Sequence, residues 1–338
     1  MMNRVANLTD VVLEASIVGS FSRIGFAVRS GLVAEFRTPL CQQTPPSMAG
    51  RTVLITGATS GIGLVAACEL ARLGAQVNFL ARDPGRAETA RRRIADAGAS
   101  AGHERDDVWY GLADLDDLDS VGAFAANLSS RVTGLDVLIH NAGAIHDHLA
   151  TTPDGIELTV AGQLLAPFVL TEFLLDRLRA AAPARVITVS SGGMYFKRID
   201  IAALAETSPS GYSGAARYAL TKRAQVALNT QWAARTDPSQ IAFHAVHPGW
   251  VRTPGLSLTL PRFARLMGPL LRTPAQGADS IVWLAAADRR QLGSGRFWHD
   301  RRPRATYRRP GPPGDPPGMG QALWDWTAGL ASRSGAVR

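Results

Sequence analysis

The chain has 338 residues, 46% of them hydrophobic and 19% charged, so it can bury a large core and is too apolar to stay disordered. Its formal net charge of +8 is concentrated in residues 289–309, where eight arginines face the single acid Asp300. Such a segment attracts phosphates, anionic lipid or nucleic acid. With only Phe297, Trp298 and Tyr307 interleaved it matches no nucleic-acid module, and no specific nucleic-acid partner is expected.

Residues 1–48 form an appendage. Leu13, Ile17, Phe21, Ile24, Val28 and Leu32 recur at three- and four-residue steps, which predicts one face of a single helix. Its longest uncharged run, Ala15 to Ser22, is far short of the ~20 apolar residues that span a bilayer. Asp10 and Glu14 ahead of that run argue against a signal peptide. Two outcomes stay open: docking on the chain's own domain or a partner subunit, the commoner fate, and peripheral membrane contact through residues 11–32. Thr44-Pro45-Pro46-Ser47 reads as a linker. Cys41 and Cys68 cannot build a disulfide framework, so a reducing, cytoplasmic setting is expected.

From Arg51 short apolar runs alternate with helical spacing. The runs are Val53-Leu54-Ile55, Val77 to Leu80, Val108-Trp109-Tyr110, Val137-Leu138-Ile139, Val186 to Val189 and Ile241-Ala242-Phe243. Leu64 to Leu73, Phe168 to Leu178 and Ala215 to Ala234 have helical patterning. This alternation specifies an α/β fold: a doubly wound parallel sheet with helices on both faces, one domain over residues 49–300. Residues 301–338 are rich in arginine and proline. Pro303, Pro310, Pro312, Pro313, Pro316 and Pro317 predict disorder over 302–318, with a short helix over Ala322 to Leu330.

The first strand runs into Thr56-Gly57-Ala58-Thr59-Ser60-Gly61-Ile62-Gly63. Glycines there allow a tight turn and let the backbone approach a pyrophosphate at a helix N-terminus. The second strand ends at Arg82, where an arginine suits a ribose 2′-phosphate, so NADP(H) is expected over NAD(H); Asp83 beside it is a competing acid. Further on, Tyr218 and Lys222 stand four apart, hence on one helix face. Of 36 Lys+Arg, only Lys197 and Lys222 are lysine. An ammonium beside a phenol favours phenolate, which predicts a lowered tyrosine pKa and an acid/base role.

The glycine loop, Asn141-Ala142-Gly143, Ser191, Tyr218 with Lys222, and Pro248-Gly249, in that order, resemble the short-chain dehydrogenase/reductase family over about residues 50–300. The resemblance implies a Rossmann-type domain that moves hydride between a nicotinamide cofactor and a carbonyl or alcohol. It implies Tyr218 as acid/base, Ser191 on the carbonyl oxygen, and Lys222 on the ribose and the tyrosine. By the same resemblance Gly57, Thr59, Ser60, Gly61, Ile62, Gly63, Asp114, Leu115, Asn141, Ala142 and Gly143 contact cofactor, as do Tyr218, Lys222, Pro248, Gly249, Val251 and Thr253. Family members usually complete a proton relay with an asparagine; here Gln163 holds that register, four residues ahead of Pro167. His140 likewise stands where an asparagine is common.

Twenty-six residues separate Ser191 from Tyr218, and with Met194, Tyr195 and Phe196 they predict a loop over the site. Trp250, Leu256, Leu258, Leu260, Phe263, Leu266, Met267, Leu270 and Leu271 predict an apolar lid, hence a small lipophilic substrate. His140, His146, His148 and Asp147 match no metal spacing, so no metal is expected. Ser191 with His247 lacks a nucleophile elbow, which excludes a hydrolase triad. The expectation is an NADP(H)-dependent reductase or dehydrogenase, oligomeric by family habit. The alternative is a catalytically weak cofactor-binding protein acting through its appendages.

Overall fold

The computed structural model describes residues 10–31, 45–259, 261–288, 292–308 and 314–333. Leu32, Cys41, Thr44, Leu260, Pro310, Pro312, Pro313 and the tail residues Arg289, Arg290 and Arg309 lie outside them, as does the side chain of Leu258. After helical residues 10–15 come α1 (Ile17–Phe21) and α2 (Arg23–Ser30). Then β1 (Thr52–Thr56) leads into α3 (Gly61–Arg72), and β2 (Gln76–Ala81) into α4 (Pro84–Ala99). Next, β3 (Val108–Leu112) precedes α5 (Leu118–Arg131), and β4 (Val137–His140) precedes α6 (Leu158–Ala180). Short α7 (Ile201–Ala205) and long α8 (Gly214–Arg235) follow β5 (Ala184–Val189). After β6 (Ile241–Val246) come α9 (Pro254–Thr259), α10 (Pro261–Met267) and α11 (Pro274–Ala286). Last are β7 (Arg296–His299), β8 (Arg302–Arg304) and α12 (Met319–Arg333).

The strand order is β3-β2-β1-β4-β5-β6-β7-β8, parallel except for β8. The apolar runs are unbroken because both faces of the sheet are covered. On one face Leu64, Leu70 and Ile94 from α3 and α4 pack with Ile281 and Trp283 from α11. On the other, Phe124, Leu170, Leu228 and Trp232 from α5, α6 and α8 bury Leu323 of α12. Strand order reverses between β1 and β4. That switch point opens a crevice at the carboxyl ends of the strands, where such sheets bind ligands.

The N-terminal segment is not the single helix its periodicity predicts. Ser16 accepts from Gly19 N at 2.9 Å, and Ser22, with extended backbone, separates α1 from α2. The break folds the segment back on itself and onto the domain. Trp250 N donates to Phe21 O at 2.8 Å, and the buried Phe21 ring packs 4.4 Å from His247 and 5.4 Å from His299. Arg29, also buried, is held by Asp10 at 2.8 Å and Asp300 at 2.9 Å, and Arg272 also grips Asp300.

The described part of the tail departs from the expected disorder. Strand β8 pairs with β7; Arg302 and Arg304 reach Asp10 at 2.8 and 2.7 Å, and Arg308 reaches Glu14 at 2.8 Å. Asp315 pairs with Arg223 of α8. Proline forbids helix here but not an edge strand, and buried ion pairs supply the order that propensity lacks. These pairings neutralise arginines that the sequence presents as an open basic segment.

Candidate active site

The loop after β1 is shaped by close approaches. Gly57, at φ +71°, packs against Ala142, and an added Cβ on Gly63 would strike Gly57 O and the Asn141 amide. Asn141 therefore braces the loop: Nδ2 donates to Thr56 O at 3.0 Å and Gly57 O at 3.2 Å. Thr56 Oγ1, not anticipated from the sequence, accepts from Asn141 N and Ala142 N at 3.1 and 3.0 Å. Ser60, Gly61 and Gly63 form the first turn region of α3; Gly57 and Thr59 line the groove beyond it.

That groove, about 550 Å³, runs past Arg82, Arg86, Asp114, Leu115, Ala142 and Gly143 to Gln163. Asp83 caps α4, its Oδ1 accepting from Arg86 N at 2.7 Å. Arg82, its side chain 74% exposed, lies only 3.6 Å from Asp114, a loose pairing open to exchange. Arg86, three residues past the N-cap, adds a second cation that the sequence reading missed. The glycine cradle, the α3 N-terminus and these guanidiniums fit the phosphates of a dinucleotide.

A second cavity, about 350 Å³, adjoins the groove at Gly143 and Ala144. Its polar floor is Ser190, Ser191 and Tyr218; Pro248, Gly249, Val251 and Thr253 border it. Ile62, Ile145, Trp250, Leu256, Thr259 and Phe263 supply walls. The expected lid is divided. Trp250, Leu256 and Phe263 face the cavity, but Leu271 is core and Leu266 is exposed. Met194 and Tyr195 are not above the site either. They are buried beneath it with Phe21, and Tyr195 Oη donates to Ala305 O at 2.9 Å; Phe196 alone of the three is exposed.

Helix α8 places Tyr218 and Lys222 on one face, with Lys222 Nζ 5.3 Å from the centre of the phenol ring. Ser191 lies beside the phenol on the floor of the same cavity, its Oγ accepting from Gly193 N at 3.3 Å. The expected lowering of the tyrosine pKa is not found: burial pushes Tyr218 up to about 12, and the neighbouring Ser191 hydroxyl offsets only part of that. Burial also pushes Lys222 down to about 7, so near neutrality its charge is only partly present. Lys222 Nζ donates to Val189 O at 3.0 Å, and Ser190 Oγ donates to Lys222 O at 3.0 Å. A high-pKa phenol and a lysine poised near 7 make a proton donor with a refill beside it.

Gln163 belongs to this group. It lies in a π turn, Ala161–Leu165, within α6. Its Nε2 donates to Ala144 O at 2.5 Å, which fixes the amide orientation and leaves Oε1 buried without a protein partner. A Cβ on Gly143 would lie 2.9 Å from that Oε1 and 3.5 Å from Lys222 Nζ, so both groups converge where only glycine fits. Behind Gln163 is a cavity of about 30 Å³ lined by His140, Thr171, Gln225 and Asn229. His140 Nε2 meets Thr171 Oγ1 at 2.8 Å; because that hydroxyl donates to Pro167 O, the imidazole is the donor. His247 is packed against Phe21 and His299, far from any hydrolase role.

The short chain dehydrogenase model matches residues 51–259. The chain belongs to the short-chain dehydrogenase/reductase family. Within it, dehydrogenase/reductase SDR family member 12 of Bos taurus is 39% identical over 259 residues, 76% of this chain and 79% of that one. A Streptomyces sp. (strain C5) protein, named with a proposed role as a daunorubicin C-13 ketoreductase, is 38% identical, covering 82% of this chain and 92% of its own. The crystal structure of an uncharacterized protein from Mycobacterium Paratuberculosis superposes with a TM-score of 0.63 at 32% identity, over 85% of this chain and 96% of that one. As an SDR enzyme the chain is an oxidoreductase using a nicotinamide cofactor.

Proposed function

We propose that this SDR enzyme uses NADP(H) to reduce a lipophilic ketone or aldehyde, or to oxidise the matching alcohol. The observation that carries this is a predominantly apolar cavity floored by Ser191 and Tyr218 and joined to a groove bordered by Arg82 and Arg86. The names of relatives point the same way: retinol dehydrogenase 14 of Mus musculus, 36% identical over 76% of this chain and 79% of its own, and the Streptomyces protein above.

When bound, the nicotinamide would exchange hydride with the carbonyl carbon. The protein's residues manage the oxygen. Ser191 orients it by hydrogen bonding, and Tyr218, protonated at neutral pH, gives its proton as negative charge builds there. Lys222 then returns a proton to the phenolate, with Gln163 Oε1 an acceptor on its far side. In oxidation each transfer runs backwards. Trp250, Leu256 and Phe263 exclude water from the reacting atoms.

The test is titration with NADPH and NADH, then turnover on a panel of apolar ketones, aldehydes and alcohols. Turnover abolished by Tyr218→Phe, with NADPH binding retained, is the expected result. Tight NADPH binding without Tyr218-dependent turnover across the panel would replace this reading with that of a cofactor-binding protein. Arg82→Glu should weaken NADPH by about tenfold and leave NADH nearly unchanged. Equal losses for both would overturn the cofactor preference.

A further inference from the structure

The N-terminal arm docks through its acids and its ring, and this arrangement decides what it shows to solvent. Asp10 and Glu14 point inward to Arg29, Arg302, Arg304 and Arg308. Val11, Val12, Val18 and Ile24 are left outward, 65, 64, 47 and 52% exposed. Nine large hydrophobic residues are exposed among the described residues, and these four fall within fourteen positions. Single exposed valines are ordinary, but a cluster of this kind marks a contact surface.

Trp250 joins the arm to the substrate lid. It packs with Phe21 on one side, at 5.9 Å, and edge-on against Phe263 of α10 at 5.2 Å on the other. On α10 Leu266 is 79% exposed, and Arg262 and Arg265 are exposed with it. Arg23 on the arm and Arg252 before α9 are exposed as well. No aspartate or glutamate occurs between residues 15 and 31 or between 250 and 278. The lid thus borders the apolar cavity and the arm meets the lid at Trp250; both expose hydrophobics and arginines, and the arm's own acids, Asp10 and Glu14, are paired inward.

We propose that the arm and lid form a docking face for an anionic lipid bilayer, with the substrate cavity opening toward it. Apolar side chains that enter the headgroup boundary and arginines that meet lipid phosphates are the two requirements of an interfacial surface. Exposed arginines on both segments, with Asp10 and Glu14 paired inward, favour this occupant over a second copy of the chain, which would set arginine against arginine. Nor does the face require a spanning helix. Among the described residues only α6 is long and apolar enough to cross a bilayer, and most of its apolar window is buried in the core.

Vesicle flotation of the full chain tests this without any turnover assay, so it stands or falls separately from the proposed chemistry. The probes are vesicles of phosphatidylcholine alone and of phosphatidylcholine mixed with phosphatidylglycerol. The protein should float with the mixed vesicles and about tenfold less with the neutral ones. Arg262→Glu with Arg265→Glu should lower flotation by about tenfold or more, as should Val11→Asp with Val12→Asp. All four positions are exposed, so thermal unfolding should be unchanged, and Val11→Ser with Val12→Ser serves if an aspartate pair unfolds the arm. Absence of flotation with mixed vesicles, or flotation indifferent to these variants, overturns the proposal. Sedimentation showing a dimer that the valine variants dissociate would assign the face to a second copy and overturn it too.

Discussion

Gln225 donates its side-chain amide to the main-chain oxygen of Gln163, which Pro167, four residues on and lacking an N–H, cannot partner. That exchange of partners falls within the π turn, Ala161–Leu165. Gln225→Leu should orphan a buried carbonyl and lower stability by about 1–3 kcal/mol, read from urea unfolding. Gln225→Asn, one methylene shorter, should recover part of it only if the amide reaches. A Gln225→Leu protein as stable as the parent would show that the bond contributes nothing.

Gln163→Asn withdraws the amide from Ala144 and from the neighbourhood of Lys222. Where the parent reduces a carbonyl, kcat should fall by about ten- to a hundredfold, the cost of an ångström-scale misplacement. NADPH affinity should stay within about twofold. An unchanged kcat would remove Gln163 from the proton path.

Lys222 carries a pH signature. Its folded pKa of about 7 lies below the ordinary lysine value of 10.5, so above pH 7 the unfolded chain binds more protons at this position. Stability therefore rises with pH between about 7 and 10, by at most ~1.4 kcal/mol per pH unit from this group. The difference in unfolding free energy between parent and Lys222→Met should show that slope. A flat difference would mean that the ammonium is charged in the fold across this range.

Asp10 accepts from Arg29, Arg302 and Arg304 and is held well below the usual carboxylate range by those guanidiniums against the cost of burial. Asp10→Ala should cost about 3 kcal/mol or more, because it leaves Arg29 buried beside fewer anions. The contribution is present above pH ~4 and lost as pH falls, so the parent should converge on the variant in acid. Urea midpoints at neutral and acid pH decide it.

Phe21→Ala should cost about 3–5 kcal/mol. It should also raise the substrate KM more than it lowers kcat, since Phe21 backs Trp250 and not the reacting hydroxyls. Equal loss in both parameters, with Phe21→Leu giving no recovery, would contradict that placement.

Local patterning determined much of this protein. Unbroken apolar runs mark strands buried on both faces; the glycine loop, Ser191 and the Tyr218/Lys222 spacing mark the site, because close approach and shared helix faces are short-range properties. Tertiary structure decided the rest. Asp83 became a helix cap and Asn141 a brace for the loop, roles set by which backbone groups lay unpaired nearby. The pKa values of Tyr218 and Lys222 moved by burial, which spacing does not encode. The proline-rich tail became ordered because its arginines meet Asp10 and Glu14, about 290 residues earlier in the chain. Pairing across that distance depends on the sheet bringing both termini to one edge, and only the folded chain does so.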